Sequence, residues 1–296
     1  MGEVTQSTTS ASAIGVIGGS GLYSLLDDAR EVVQETPYGD PSDVLTAGTF
    51  GGRDVVFLPR HGRGHEYPPH KVPFRANLFA LQAQGVRRVI GVGAVGSLRA
   101  DLPPGSLVVP DQLVDRTTGR EQTYFDGPGS AYDAAQSPGP SPDDGDTGPY
   151  RSSFGGVAHA SFADPYCPTG RRDAVEASTA GGWRAVDGGT QVVIQGPRFS
   201  TRAESVWFNR QGWSIVGMTA HPEVVLAREL GLCYIPLCLV TDYDAGVEAG
   251  SGVTQEEVFA AFARNVDRLR DVLAALLTAL PEEPDCDCAS LRPQPT

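Results

Sequence analysis

Short apolar runs rich in β-branched residues alternate along the chain with longer stretches whose apolar positions recur at helical spacing. "AIGVIGG", "RDVVFLPR", "RRVIGVGAVG", "GSLVVPDQLVD", "TQVVIQGPR", "SIVGMT" and "CYIPLCLVTD" read as strands. "RANLFALQAQG", "CPTGRRDAVEASTAGG", "TRAESVWFNRQG" and "HPEVVLARELG" read as helices, each closing at or near a glycine. Strands that alternate with helices predict an α/β fold, a single domain built on a mixed, mainly parallel β-sheet flanked by helices. In such sheets ligands settle beyond the carboxyl ends of the strands, and the unusual residues of this chain fall there.

Some segments depart from the alternation. Residues 127–156 are rich in Gly, Pro, Ser and Asp and carry no apolar periodicity, which predicts a disordered insertion. "TQEEVFAAFARNVDRLRDVLAALLTAL" is a long amphipathic helix. Beyond Leu280 prolines and charges predict a flexible tail over 281–296, and the polar residues 1–13 predict a flexible N-terminus. The domain is thereby expected over 14–280.

Composition narrows the partners. A net charge of -13 argues against nucleic acid, whose phosphates need clustered Lys and Arg; an anionic ligand stays open, because one pocket can be positive on an acidic protein. The first residues lack the basic and apolar regions of a secretory signal, so the chain is expected in the cytoplasm. No apolar run reaches the roughly 20 residues that cross a bilayer. Of the five cysteines, Cys233 and Cys238 read as small buried hydrophobes, Cys167 follows "FADPY", and "CDC" at Cys286 and Cys288, a lone C-x-C that as a redox or metal element is a weak signal, reads as part of a solvated tail.

Candidate chemistry sits at the strand exits. "IGGSGLY" offers Ser20 among glycines, either a cradle of amides for an anion or a tight strand-to-helix turn; the dinucleotide fingerprint fails at Ser24. In "LPRHGRGHEYPPH" the glycines and prolines preclude a helix that would align His61, His65 and His70 on a metal, so Arg60 and His61 read as a phosphate site. "VIGVGAVGSL" exposes amides around Gly93 and Ala94. "IQGPRFSTRAE" places Phe199 and Ser200 where a ring can stack on a flat ligand, with Arg198, Arg202 and Glu204 as a structural ion-pair set. Thr219, after Met218, offers a hydroxyl to an anion or caps a helix. "LVTDYDAG" ends a buried strand on Asp242 and Asp244, which suit metal ligation, acid–base work, helix capping or acceptance of hydrogen bonds from a small molecule.

Taken in order, "IGVIGGSGLY", "TPYGDPSD", "LPRHGRGH", "GAVGSL", "DRTTGREQTYFDG", "QGPRFSTRAE", "GMTAHPEVVLARELGLCY" and "VTDYDAG" resemble the trimeric purine nucleoside phosphorylase family, most closely its 5'-methylthioadenosine phosphorylase branch. The resemblance covers about Ile14 to Leu280 apart from the insertion, and implies the phosphorylase-type sheet. It implies a pentosyltransferase in which inorganic phosphate attacks the anomeric carbon of a purine nucleoside and frees the base, with no cofactor and no metal. By motif, Ser20, Arg60, His61, Gly93, Ala94 and Thr219 would hold phosphate. Met218 would lie under the sugar, Phe199 and Ser200 beside the base, and Asp242 and Asp244 on its N7 and 6-amino edge. Relatives that act on 6-oxopurines carry Glu in place of Ser200 and Asn in place of Asp242, so the pair implies adenine. Gly93 stands where the branch has Thr, Gly217 where Asn is common, and Gln255 near the usually apolar wall for the 5' substituent, which leaves adenosine and 5'-deoxyadenosine as further substrates. The partners implied are a nucleoside, phosphate and two further copies of the chain, a neighbour closing the 5' pocket against the loop that holds His159.

Overall fold

The computed structural model describes residues 12–19, 22, 26–126, 158–183, 185–247 and 252–294. Among them one sheet of eleven strands carries five α-helices. The strands are β1 (Ile14–Gly18), β2 (Asp27–Val32), β3 (Leu45–Phe50), β4 (Arg53–Pro59), β5 (Arg88–Ser97), β6 (Leu107–Val109), β7 (Gln112–Arg116), β8 (Val186–Asp187), β9 (Thr190–Ile194), β10 (Ile215–Gly217) and β11 (Cys233–Tyr243). The helices are α1 (Phe74–Ala83), α2 (Pro168–Ala180), α3 (Arg202–Arg210), α4 (Ala220–Glu229) and α5 (Gln255–Ala279).

Parallel pairing dominates at the centre, where β1 lies between β4 and β5 and β5 runs beside β11 over its whole length. Period-2 alternation sorts the two faces. Val55, Phe57, Ile90, Val92, Ile235 and Leu237 pack with α2 and α5, whereas Val56, Leu58, Val89 and Tyr234 pack with α1 and α4. At about 25 cal/mol per Å² of apolar area removed from water, these two cores supply the main driving force. Local chemistry sets the helix starts: α3 and α5 each open on a capping box, Thr201 with Glu204 and Thr254 with Glu257.

The predicted α/β sheet is present, with three strands added: β2, β3 and the two-residue β8, which pairs with β6. β2 is a polar, exposed edge strand, and β3 shows no clean alternation; both exist because they extend the sheet antiparallel from β4. The run "GSLVVPDQLVD" divides at Pro110 into β6 and β7. The predicted insertion at 127–156 lies outside the described residues.

The stretch expected as a flexible tail makes long-range contacts in its described part, 281–294: Arg88 donates to the Pro281 carbonyl at 2.5 Å, and Arg53 to the same carbonyl at 3.5 Å. Cys288 is buried at 3 % exposure. The prolines and charges hid long-range partners that no local pattern reveals.

Candidate active site

The centre of the sheet contains an opening. β11 covers one edge of β5 from Arg88 to Ser97, so β1 and β10 must share the other edge. β1 pairs only as far as Gly91, and antiparallel β10 pairs only with Gly96 and Ser97. Among the described residues no strand pairs with Val92 to Val95 on that side. Continued by two residues, the β10 register brings Met218 and Thr219 opposite Ala94 and Gly93; the β1 register brings Gly19 to the same place. A Cβ on Gly93 would meet nothing within 4 Å, so the backbone there is open to a ligand.

Of the predicted anion residues, Gly93 and Ala94 belong to the open stretch of β5, and Arg60 bonds to its Val92 carbonyl. Arg60 is buried, and its Nε and Nη2 donate to Glu223 at 2.7 and 2.8 Å, while Nη1 donates to the Val92 carbonyl at 2.7 Å. Burial opposes its charge, but Glu223 outweighs that and holds its pKa above the ordinary value. Most of the arginine fork is therefore committed inside the protein. Tyr234 Oη donates to the same carboxylate at 2.5 Å, and a Cβ on Gly91 would sit 1.9 Å from that oxygen. Gly91 is thus a close-approach glycine.

His61 Nδ1 lies 2.7 Å from the Tyr67 carbonyl, so Nδ1 carries the hydrogen and Nε2 is left to a ligand. Burial lowers its pKa to about 4, helped by Arg60 and His65 against that hydrogen bond, which keeps the ring neutral near pH 7. His61 stacks on His65 at 4.6 Å, and His65 meets Phe259 of α5 edge-on.

Thr219 occupies the N-cap position of α4 without a side-chain capping bond, so its hydroxyl is not used there. Its loop is fixed from outside by Arg120, which donates to the carbonyls of Met218, His221 and Gln195 at 2.9, 2.5 and 2.8 Å. Burial lowers Arg120 to about 10, still charged at neutral pH. The only sequence signal of Arg120, one Arg in a Gly- and Thr-rich loop, is easily taken for solvated charge. Ser20 lies outside the described residues.

The carboxylates stand at the other end of the opening, about 10 Å along β5 from Gly93 at 3.3 Å per residue. β11 carries a bulge between Val240 and Asp242, where Thr241 is the extra residue. Asp242 then pairs with Gly96. A Cβ on Gly96 would lie 2.9 Å from Asp242 Oδ1 and 3.3 Å from Asp244 Cβ, so the glycine makes room for both acids. Thr241 Oγ1 donates to Asp242 Oδ2 at 2.8 Å. Burial raises the Asp242 carboxyl to about 6, with Asp244 and Glu257 adding to the shift against the Thr241 bond.

Asp244 is 3 % exposed, and burial raises its pKa while the Ser200 and Ser205 hydroxyls facing it work the other way. Asp244 Oδ2 and both hydroxyls nonetheless lack a partner in good hydrogen-bonding geometry. The three buried polar atoms lie together, with Asp244 also lining the cavity beside them. Phe199 is half-buried one residue before Ser200. Arg198 and Glu204 form the expected pair at 2.7 Å.

A cavity of about 410 Å³ opens beside these acids, lined by Asp242, Asp244, Arg202, Val253, Glu257 and Arg264 among others. Of the predicted site residues it takes in the two aspartates, whereas Gly93 and Ala94 lie along the β5 opening. Glu257 and Arg264 escaped the sequence reading, although their spacing of two helical turns puts both on one face of α5.

Fold and site together define an α/β enzyme whose pocket lies at the exits of central parallel strands. The description of the Phosphorylase superfamily fits residues 13–278, and the chain belongs to that family. A Streptomyces coelicolor protein named purine nucleoside phosphorylase is 56% identical over 279 residues, covering 94% of this chain and 93% of its own. The Mycobacterium tuberculosis S-methyl-5'-thioadenosine phosphorylase is 53% identical, covering 92% and 91%. A methylthioadenosine phosphorylase from Schistosoma mansoni, solved with adenine, superposes with a TM-score of 0.77 at 34% identity, covering 90% and 91%.

Proposed function

We infer that the protein cleaves S-methyl-5'-thioadenosine with inorganic phosphate, giving adenine and 5-methylthioribose 1-phosphate. The observation that carries this reading is Asp242, a carboxyl lifted to about 6 beside the unsatisfied Asp244 at the end of an open backbone strip. A protonated carboxyl offers one donor and one acceptor, the complement of purine N7 beside a 6-amino group. As the glycosidic bond lengthens, positive charge grows on the sugar and negative charge on the base. A proton shared by Asp242 with N7 eases departure of the base, and Asp244 stabilises the amino edge.

Phosphate belongs in the opening, against the amides of Gly93 and Ala94, the Thr219 hydroxyl, Ser20 and His61 Nε2. Arg60 contributes its charge and one remaining N–H from behind. Phosphate is the nucleophile, so the reaction uses no cofactor and no metal. Phe199 and Met218 flank base and sugar, and Ser200 leaves room where a larger acid would meet the purine. The same reading places the enzyme in the cytoplasm as a homotrimer. Phe259, 47 % exposed on the helix that walls the cavity, is apolar surface for a neighbouring copy to cover; sedimentation at three chain masses checks this.

A second reading, phosphorolysis of 6-oxopurine nucleosides, draws on the name of the Streptomyces relative. The two separate in one assay: the protein is incubated with phosphate and either methylthioadenosine or methylthioinosine, and free base is followed by chromatography. Adenine release at the higher kcat/KM is expected. Hypoxanthine release without adenine would overturn the reading, and so would release of either base independent of phosphate.

A further inference from the structure

We propose that Cys167, Cys233, Cys286 and Cys288 form a structural zinc site that fastens the C-terminal segment to the domain. Three separate stretches of chain bring the four thiols together, and the Sγ atoms all lie within 4.8 Å of one another. Cys233 begins β11, Cys167 precedes α2, and the other two come from the packed tail. Cys233 Sγ and Cys286 Sγ are 3.1 Å apart. Zinc bound by four thiolates at about 2.3 Å is tetrahedral and sets its sulfurs roughly 3.8 Å apart, within the observed spread. That spread is too tight for an iron–sulfur cluster between the sulfurs, so a single ion is the occupant.

The surroundings suit thiolate. Cys167 is the N-cap of α2, and the Gly170 amide donates to its Sγ at 3.4 Å while Thr169 Oγ1 lies at 3.4 Å. A thirteen-residue helix directs its positive end at that sulfur. A Cβ on Gly170 would already lie 3.5 Å from it, and 2.5 Å from Ile235, so the amide approaches only because residue 170 is glycine. Cys233 and Cys167 are fixed through the backbone, Cys233 N donating to the Arg87 carbonyl and Cys167 N to the Tyr234 carbonyl, at 2.9 and 3.0 Å. The Cys286–Cys288 turn is closed by Ser290 and Leu291 amides on the Asp287 carbonyl.

Binding displaces the thiol protons, and four sulfurs fill the coordination sphere with no position left for water. The ion therefore does no chemistry. It sits at the opposite end of β11 from Asp242, nine residues or about 30 Å away, and its work is to hold the tail.

The test uses the full chain, purified under reducing conditions and stripped, then titrated with zinc in the presence of a thiol-free reductant. About one zinc per chain is expected, released by an organomercurial, and cobalt in its place should give the intense visible bands of tetrahedral thiolate coordination. Cys286→Ser and Cys288→Ser should each weaken zinc at least about tenfold against a competing chelator, with phosphorolysis unchanged. Stripped protein that takes up no zinc overturns the proposal, whether its four thiols are all alkylated or its mass is short by the hydrogens lost to disulfides. Zinc retained undiminished by both variants overturns it as well.

Discussion

Asp242 is the residue on which rate and pH meet. Its carboxyl titrates near 6 in the free protein, and kcat/KM reports the free enzyme. If its protonated form meets N7, kcat/KM for methylthioadenosine should be flat in acid and fall about tenfold per pH unit above that value. Asp242→Asn should remove this limb and cost on the order of 100-fold with aminopurine nucleosides, and much less with oxopurines. A wild-type profile level from pH 6 to 8 would reject the assignment. Gly91 offers a check on the buried set behind the opening: the methyl of Gly91→Ala would fall 1.9 Å from Tyr234 Oη. Displacing that hydroxyl disturbs Glu223 and with it Arg60. A loss of about 2 kcal/mol or more in denaturant unfolding is expected, and a neutral result would show that the tyrosine moves freely.

At the scale of elements, β5 makes the site because three strands compete for its two edges. β1 and β10 approach from opposite ends and stop short, and the bulge at Thr241 sets the acids against Gly96. Gly96→Ala would drive a methyl to 2.9 Å from Asp242 Oδ1. It should lower kcat/KM for the nucleoside about 100-fold, since small misplacements of reacting groups are costly, while circular dichroism stays that of the wild type. Activity within twofold of wild type would mean that the acids tolerate a shift. The strands and helices near this site were legible in the sequence, because buried β-branched runs and glycine stops are local signals. The run through Gly93 and Gly96 reads as one strand and β5 spans it to Ser97; what no local pattern tells is which neighbour needs the space that each glycine leaves. The pairing of Arg60 with Glu223 spans 163 residues, and the meeting of four cysteines joins three stretches, so neither left a local pattern.

The whole molecule must bear the cost of holding Asp242 in its pocket. An aspartate with a pKa of about 6 in the folded chain and 3.8 as its ordinary value binds its proton more tightly when folded. Folding then takes up a proton between those values, and stability falls as pH rises through the window. Above pH 6 the ionised, partly buried carboxylate is a full penalty; below about 3.8 there is none. The shift corresponds to about 3 kcal/mol at 1.36 per unit, and partial contact with water reduces this to about 1–2 kcal/mol. His61 acts in the opposite sense: lowered from 6.5 to about 4, it makes acidification costly over nearly the same range. The two terms offset, so the wild-type stability should change little between pH 4 and 6.5 on their account. Asp242→Asn removes one term and leaves the other. The variant should unfold at a higher temperature than wild type at pH 8, with an advantage that shrinks through pH 6 and is gone near pH 4. Thermal unfolding of both proteins across that range decides the matter, and a difference independent of pH would mean that Asp242 stays ionised throughout and cannot be the proton donor.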